Sequence, residues 1–372
     1  MTINYNIITC DGGGIRGLIT AMLLDDLVSN PPKGYTPNTI LSNVNLFAGT
    51  STGGIIAIGL SCGLTPSSLV RLYETQCGNI FKPYQSTDDS SALSHLGLPQ
   101  ISLDPCSWLA ELCHVKYSNA GLYNVLSTFL TPQVDPTSPL STLLTLKNNT
   151  NDTSVLAVTL MLSDTSNTPW TPLALTNLPN SNYADVAIID AAMCSSAAPL
   201  YFPPYAVPPV PATKRMWCAD GGVVANNPST FALGNVIQSQ VLQQQKKELS
   251  NIRLLSLGTG ATIDFVPWSF LNAFANNCGM AMWLDPLTIE NEPAFPLMAA
   301  MFDGQAQIAH LEASNILGSQ YQRANPTLTQ TINLDDCGAI GELQSVVQDY
   351  IKSTEGPNDW ASIKEWAYSN FI

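Results

Sequence analysis

The run Phe47-Ala48-Gly49-Thr50-Ser51-Thr52-Gly53-Gly54 sets a hydroxyl nucleophile between glycines directly after an apolar stretch. Asn45 to Ala48 reads as the end of a buried strand and Gly53 to Leu60 as the start of a helix. In a G-x-S-x-G elbow of this kind, Gly49 and Gly53 lack the Cβ atoms that would clash while the serine is held in a tight backbone conformation. Ser51 would then stand at a helix N-terminus, where the dipole favours negative charge developing on its oxygen. The chemistry this suits is attack on an acyl carbonyl. A small-residue turn has the same composition, so other stretches must decide.

Two further stretches bear on the same chemistry. Asp11-Gly12-Gly13-Gly14-Ile15-Arg16-Gly17 follows the apolar run Asn6 to Cys10 and precedes residues at helical spacing, Leu18 to Val28. With no side chains in the way, the amides of Gly12, Gly13 and Gly14 can point at one oxygen, with a helix N-terminus behind them. Arg16 can neutralise charge near such a site or brace the loop through its five donors, and bracing is the preferred reading. Gly12, Gly14 and Gly17 also satisfy G-x-G-x-x-G, but a dinucleotide fold needs an acidic residue about 20 positions on. None occurs between Asp26 and Glu74, so that reading is set aside.

The third stretch, Met216 to Val223, is a short strand that delivers Asp220 into a Gly-Gly turn before Asn226-Asn227-Pro228. Asp before Gly-Gly is also an ordinary turn. A triad would need an imidazole, and the chain has only His95, His114 and His310, none after a recognisable strand end. Asp220 can take the proton directly if it lies within hydrogen-bond reach of Ser51. A free Asp is a feeble base at neutral pH, but burial would raise its pKa and improve the match.

These residues need a scaffold. Val155 to Leu162 reads as a central strand, apolar on both parities, and Ile252 to Leu257 as another. Thr65-Pro66 caps a helix carrying Leu69, Leu72 and Tyr73, and helices are expected over Asn119–Leu130 and Asp185–Ala198. Strand and helix alternate from Asn6 to Gly260, which argues for an α/β fold: a mainly parallel central sheet flanked by helices on both faces. Active sites in such sheets lie beyond the carboxyl ends of strands, where the Gly12 turn, Ser51 and Asp220 all fall.

Residues 1–260 are expected to form the catalytic domain, with an irregular insertion at about 82–118. Residues 261–372 are expected to be an apolar, helical extension packed on the same domain. Within it, Phe265 to Phe302 holds Trp268, Phe270, Phe274, Met280, Met282, Trp283, Phe295, Met298, Met301 and Phe302. The plain reading is a core or cap; the sharper one is an acyl-chain wall or a lid that touches a bilayer.

Composition narrows the partners. Charged residues make up 11% of the 372 and net charge is −14, with no basic cluster, so a grip on nucleic acid is not expected. Contact with a membrane or micelle would be local, transient and apolar. Nine singly spread cysteines without a C-x-x-C pair argue against a zinc site and a dense disulfide framework, and suit a reducing compartment. Met1 to Tyr5 lacks a basic leader region and no run of eighteen apolar residues occurs, so the expected location is cytoplasmic, or export without a recognisable signal peptide, with no transmembrane segment. Two glycosylation sequons, at Asn148 and Asn151, carry little weight in an Asn/Thr-rich loop.

Asp11 to Gly17, Gly49 to Gly54 and Asp220-Gly221-Gly222, in that order, resemble the three signature blocks of patatin-like phospholipases. Ala197-Ala198-Pro199, Asn226-Asn227-Pro228 and Ser256 to Gly260 are similar to further family blocks, and together they span about two thirds of the chain. The resemblance implies a lipid acyl hydrolase with a Ser-Asp dyad, no metal and no cofactor, acting on phospholipids, lysophospholipids or glycolipids. It makes Ser51 the nucleophile, Asp220 the base, and Gly12, Gly13 and Gly14 the oxyanion donors. An acyltransferase using the same dyad, or a storage or interaction protein with weak residual hydrolysis, remains open, as does an activating partner.

Overall fold

Successive residues of the buried strands face two separate cores. The computed structural model describes residues 4–37, 39–83, 115–130, 142–149, 153–208, 215–266, 268, 272, 280–283, 295–353 and 359–371. Strand β1 (Tyr5–Cys10) sends Ile8 and Cys10 into one core and Tyr5 and Ile7 into the other. Strand β3 (Ser154–Asp164) divides Val155 and Ala157 from Leu156 and Val158 in the same way. The period of two therefore gives a sheet buried on both faces, as its doubly apolar strands require.

Helices cover each face. The first core takes α1 (Gly17–Ser29), α2 (Thr52–Ser61), α3 (Pro66–Ile80), α4 (Asn119–Phe129) and α5 (Ile188–Ser195). The second takes Leu233 and Val236 from α6 (Ser229–Gln238) and Ala313 and Leu317 from α7 (Pro296–Leu317). The start of α3 follows the expected chemistry: Pro66 occupies its first turn and Thr65 Oγ1 accepts the Ser68 N–H at 3.2 Å.

The remaining strands are β2 (Leu46–Thr50), β4 (Thr171–Thr176), β5 (Tyr205–Ala206), β6 (Met216–Asp220), β7 (Ile252–Leu257) and β8 (Tyr321–Ala324). They form one sheet in the order β5-β6-β3-β2-β1-β7-β8, with β4 on β3. From β3 to β8 every pairing on this path is parallel; β4 and β6 pair antiparallel with β3, and β5 antiparallel with β6. The fold is thus the expected mainly parallel α/β sheet, with an antiparallel margin that apolar periodicity did not reveal.

The register around β3 positions the site. Val158 pairs with Thr50 of β2 and Ala174 of β4, while Thr159 pairs with Asp220 of β6 and Leu173 of β4. A strand has two edges, so β4 holds one of them here and β2 and β6 share the other. The two end-to-end strands terminate against neighbouring residues. Helix α5 ends sooner than the expected helix over Asp185–Ala198, because the chain at and beyond its end turns carbonyls to β6 and the turn after it: Ala197 O accepts Asp220 N–H at 2.8 Å and Ser195 O accepts Gly221 N–H at 3.2 Å.

Beyond Gly260 the chain returns to the sheet as β8, beside β7, and α8 (Ile340–Lys352) buries Leu343 and Val347 in the first core with α1. A disulfide joins Cys77 of α3 to Cys337, 260 residues away. Linear spacing could not show this partnership, because the two cysteines meet only once α3 and the later chain pack together. Among the described residues Cys10, Cys62, Cys194 and Cys218 are free and buried. Most of the insertion at about 82–118 lies outside the described residues, as do His95, His114, Phe270, Phe274 and much of both sequons. Among the described residues no helix is long and apolar enough to cross a membrane.

Candidate active site

Ser51 closes β2 and opens α2 with φ 55° and ψ −123°, a conformation non-glycine residues rarely adopt. Strain of this kind costs on the order of 1–3 kcal/mol and persists only where neighbours impose it. Here Ser195 Oγ accepts the Ser51 N–H at 2.9 Å and donates to Val158 O at 2.7 Å. Ser51 O in turn receives Ile55 N–H at 3.0 Å. The elbow glycines serve close backbone crossings: a Cβ on Gly49 would collide with Gly53 O, and one on Gly53 with Cys10 O.

Asp220 ends β6 with only 2% of its surface exposed. Its Oδ1 accepts the Gly222 N–H at 2.6 Å, and the Ser51 hydroxyl lies near enough to bear on its titration. Burial pushes its pKa up to about 7, with the Ser51 hydroxyl and the Gly222 amide opposing that rise. Among the described residues it has no ion-pair partner. A carboxylate so placed can exchange a proton with the serine near neutral pH.

The glycine loop after β1 lies against Ser51: a Cβ on Gly12 would stand 3.3 Å from Ser51 Cβ and clash with the Asn226 side chain. The three amides are not equivalent. Gly12 N–H donates to Asn226 O at 2.9 Å, so its donor is already engaged, whereas the N–H groups of Gly13 and Gly14 have no acceptor among the described residues. Of the three amides expected to meet an anion, those of Gly13 and Gly14 are the ones left free to donate. Thr259 Oγ1 holds the loop through Gly12 O at 2.7 Å, and Leu334 O takes the Ile15 N–H at 2.8 Å.

Arg16 does not brace this loop through hydrogen bonds. It is buried, its Nε has no hydrogen-bond partner among the described residues, and it lines a small pocket with Asp264 and Asp303. The brace is Arg323 of β8, whose guanidinium grips Asp11 with contacts of 2.6 and 3.2 Å and donates to Ser256 Oγ at 2.7 Å. Burial drives the Asp11 carboxyl upward and the Arg323 charge opposes it. No motif marks Arg323; the only signal was that a buried Asp11 must find a cation somewhere.

A pocket opens beside Ser51 and Gly14, walled by Ile55, Tyr73, Ile80 and Leu122 among others. It is strongly apolar. The described part of the Phe265 to Phe302 stretch does not line it: Phe295, Met298 and Phe302 border the cavity at Arg16, while Phe265 and Trp268 are exposed. His310 also lies elsewhere, its Nδ1 3.1 Å from Tyr321 Oη, with burial and Arg323 lowering its pKa.

The α/β sheet thus brings a strained serine, a buried carboxyl and an apolar pocket together at one end of its strands. Residues 8–233 match the family model of patatin-like phospholipases, and the chain belongs to that family. By class it is a lipid hydrolase. Curated relatives include Protein teg of Priestia megaterium, 26% identical over 87% of this chain and 88% of that protein. A cGAMP-activated phospholipase of Pseudomonas aeruginosa is 30% identical over 70% of this chain and 64% of its own. Patatin-like protein 2 of Arabidopsis thaliana is 27% identical over 68% of this chain and 59% of its own.

Proposed function

We propose that the protein is a metal-independent serine acyl hydrolase that cleaves fatty acyl esters of phospholipids, lysophospholipids or glycolipids. The observation that carries this reading is Ser51, held at φ 55° where β2 gives way to α2, beside a buried Asp220 whose pKa burial pushes up to about 7. Asp220 takes the Ser51 proton as the oxygen attacks the ester carbonyl. The amides of Gly13 and Gly14 hold the oxyanion, and protonated Asp220 gives its proton to the departing alkoxide. Water, deprotonated by Asp220, then releases the fatty acid from Ser51 and restores the starting state.

The direct test is fatty acid release from mixed phospholipid, lysophospholipid and triglyceride in excess chelator. Release that survives chelator and vanishes in Ser51→Ala and Asp220→Asn supports the reading; a fully active, folded Asp220→Asn protein sinks it. Exposed Trp268 and Trp283 are the proposed contacts with a lipid surface. Replacing both with Ala then lowers activity on vesicles more than on a soluble short-chain ester, and equal losses on the two would dismiss that contact.

A further inference from the structure

In the mechanism above Asp220 protonates the departing alkoxide, so the part of the substrate that leaves must lie on the Asp220 side of Ser51. A second pocket opens there. A Cβ on Gly222, whose N–H binds Asp220, would stand 3.3 Å from the Phe302 ring, and Phe302 lines this pocket with Arg16, Asp264 and Asp303. Tyr201 and Leu334 belong both to its wall and to that of the apolar pocket at Ser51, so the two pockets adjoin. An acyl chain suits the apolar one. The alcohol that leaves, with whatever it carries, falls to the other.

The charges in this second pocket are unpaired. Arg16 is 6% exposed, and its guanidinium makes no hydrogen bond or ion pair among the described residues. Asp264 and Asp303 are half-buried and have no ion-pair partner there either. Each has one oxygen engaged, Asp264 Oδ1 by the Thr331 hydroxyl at 2.6 Å and Asp303 Oδ2 by the Thr262 hydroxyl. The other oxygen of each accepts nothing among the described residues. Burial raises the Asp264 pKa, the Thr331 bond opposes that rise and the Asp303 charge adds to it, so the two carboxyls bear on one another. Two carboxylates against one guanidinium leave an excess of negative charge. The Tyr201 and Phe295 rings could hold a cation on their faces, but Lys116 Nζ already stands 4.9 and 5.5 Å from their centroids. What remains for an added cation is the pair of free carboxylate oxygens, which suit an ammonium with N–H groups to donate.

We propose that this pocket selects glycerophospholipids whose phosphate carries a primary amine, the ammonium held between Asp264 and Asp303 and the phosphate by Arg16. This rests on the acyl-hydrolase reading and names its substrate class. A phosphate without an amine adds negative charge where there is already an excess, and a quaternary amine has no N–H for the carboxylates.

The experiment measures kcat/KM for dihexanoyl phospholipids, dissolved as monomers, that carry ethanolamine, choline or glycerol on the phosphate. The parent is compared with Asp264→Asn, Asp303→Asn and the double variant. The parent is expected to favour the ethanolamine over the glycerol head group by at least about tenfold, equivalent to about 1.4 kcal/mol, with choline between them. Each single variant, which keeps an acceptor for its threonine, lowers that ratio, and the double variant brings it to about one. Each ratio is taken within one protein preparation, so a loss of folded enzyme cancels. Three outcomes overturn this proposal alone: no preference for ethanolamine in the parent, choline turned over as well as ethanolamine, or a preference that survives the double substitution. Absence of turnover on every ester overturns the acyl-hydrolase reading and this one with it.

Discussion

Asp220 approaches Ser51 from the opposite direction along a shared lane: β2 runs parallel to β3 and β6 antiparallel, and their last residues pair with Val158 and Thr159. In a purely parallel sheet the two residues would need separate strands and loops to meet. Here the ladder of β3 sets their separation, and the carboxyl is buried because strands, α5 and the glycine loop close around the junction.

That burial fixes a pH dependence. With Asp220 pushed up to about 7, the base form grows as pH rises through that value. Activity should climb about tenfold per pH unit on the acid side and level off above about pH 7, read as kcat/KM on a soluble ester whose own charge is constant. A profile flat from about pH 5 to about pH 8 would contradict Asp220 as base.

The same shift acts on stability, with the opposite sense. The folded pKa lies above the unfolded one, so between the two values the native state binds more protons and stability falls as pH rises. Asp220→Asn keeps an acceptor for Gly222 N–H and removes the buried charge. It should therefore raise the unfolding free energy at about pH 8 by on the order of a few kcal/mol, and Tm with it, and change both little at about pH 4. Thermal unfolding at both pH values checks this, and an unchanged or lower Tm at the higher pH would refute it.

Gly14 has φ 57°, and a Cβ there would press on the backbone of Leu334. Gly14→Ala should displace the loop amides and lower kcat about a hundredfold, with a smaller effect on KM. Gly34→Ala is the matched control, since its φ is 99° but nothing lies within 4 Å of the added carbon. It should carry backbone strain of about 1 kcal/mol and leave kcat alone.

The elements that hold Ser51 were legible because each is local. Apolar runs ending in glycine marked β1, β2 and β6, and Thr65-Pro66 marked α3. What escaped was nonlocal. The lane shared by β2 and β6 depends on pairing across β3, and the loss of Gly12 as a donor depends on Asn226, more than two hundred residues later. Strand β8 is four residues long and its Arg323 and Gln322 are polar, so no apolar run announced it. Arg16 stood in the motif and drew the role of brace, although the chain gives that role to Arg323.

The Asp11–Arg323 pair gives the sharpest test of how the tail supports the site. Both side chains are almost wholly buried, and the pair joins the residue before Gly12 to the edge strand. Arg323→Met leaves the Asp11 carboxyl buried without its cation, which should cost about 3–5 kcal/mol of unfolding free energy. Asp11→Asn combined with Arg323→Met removes both charges and should recover most of that loss, because desolvation offsets much of what a buried pair gains. Denaturant unfolding of the parent, the single and the double variants reads both effects. If the double variant regains stability but its kcat stays low, the ion pair serves mainly to hold the Gly13 and Gly14 amides in place. Full recovery of both would make it a fold contact with no further hold on the loop.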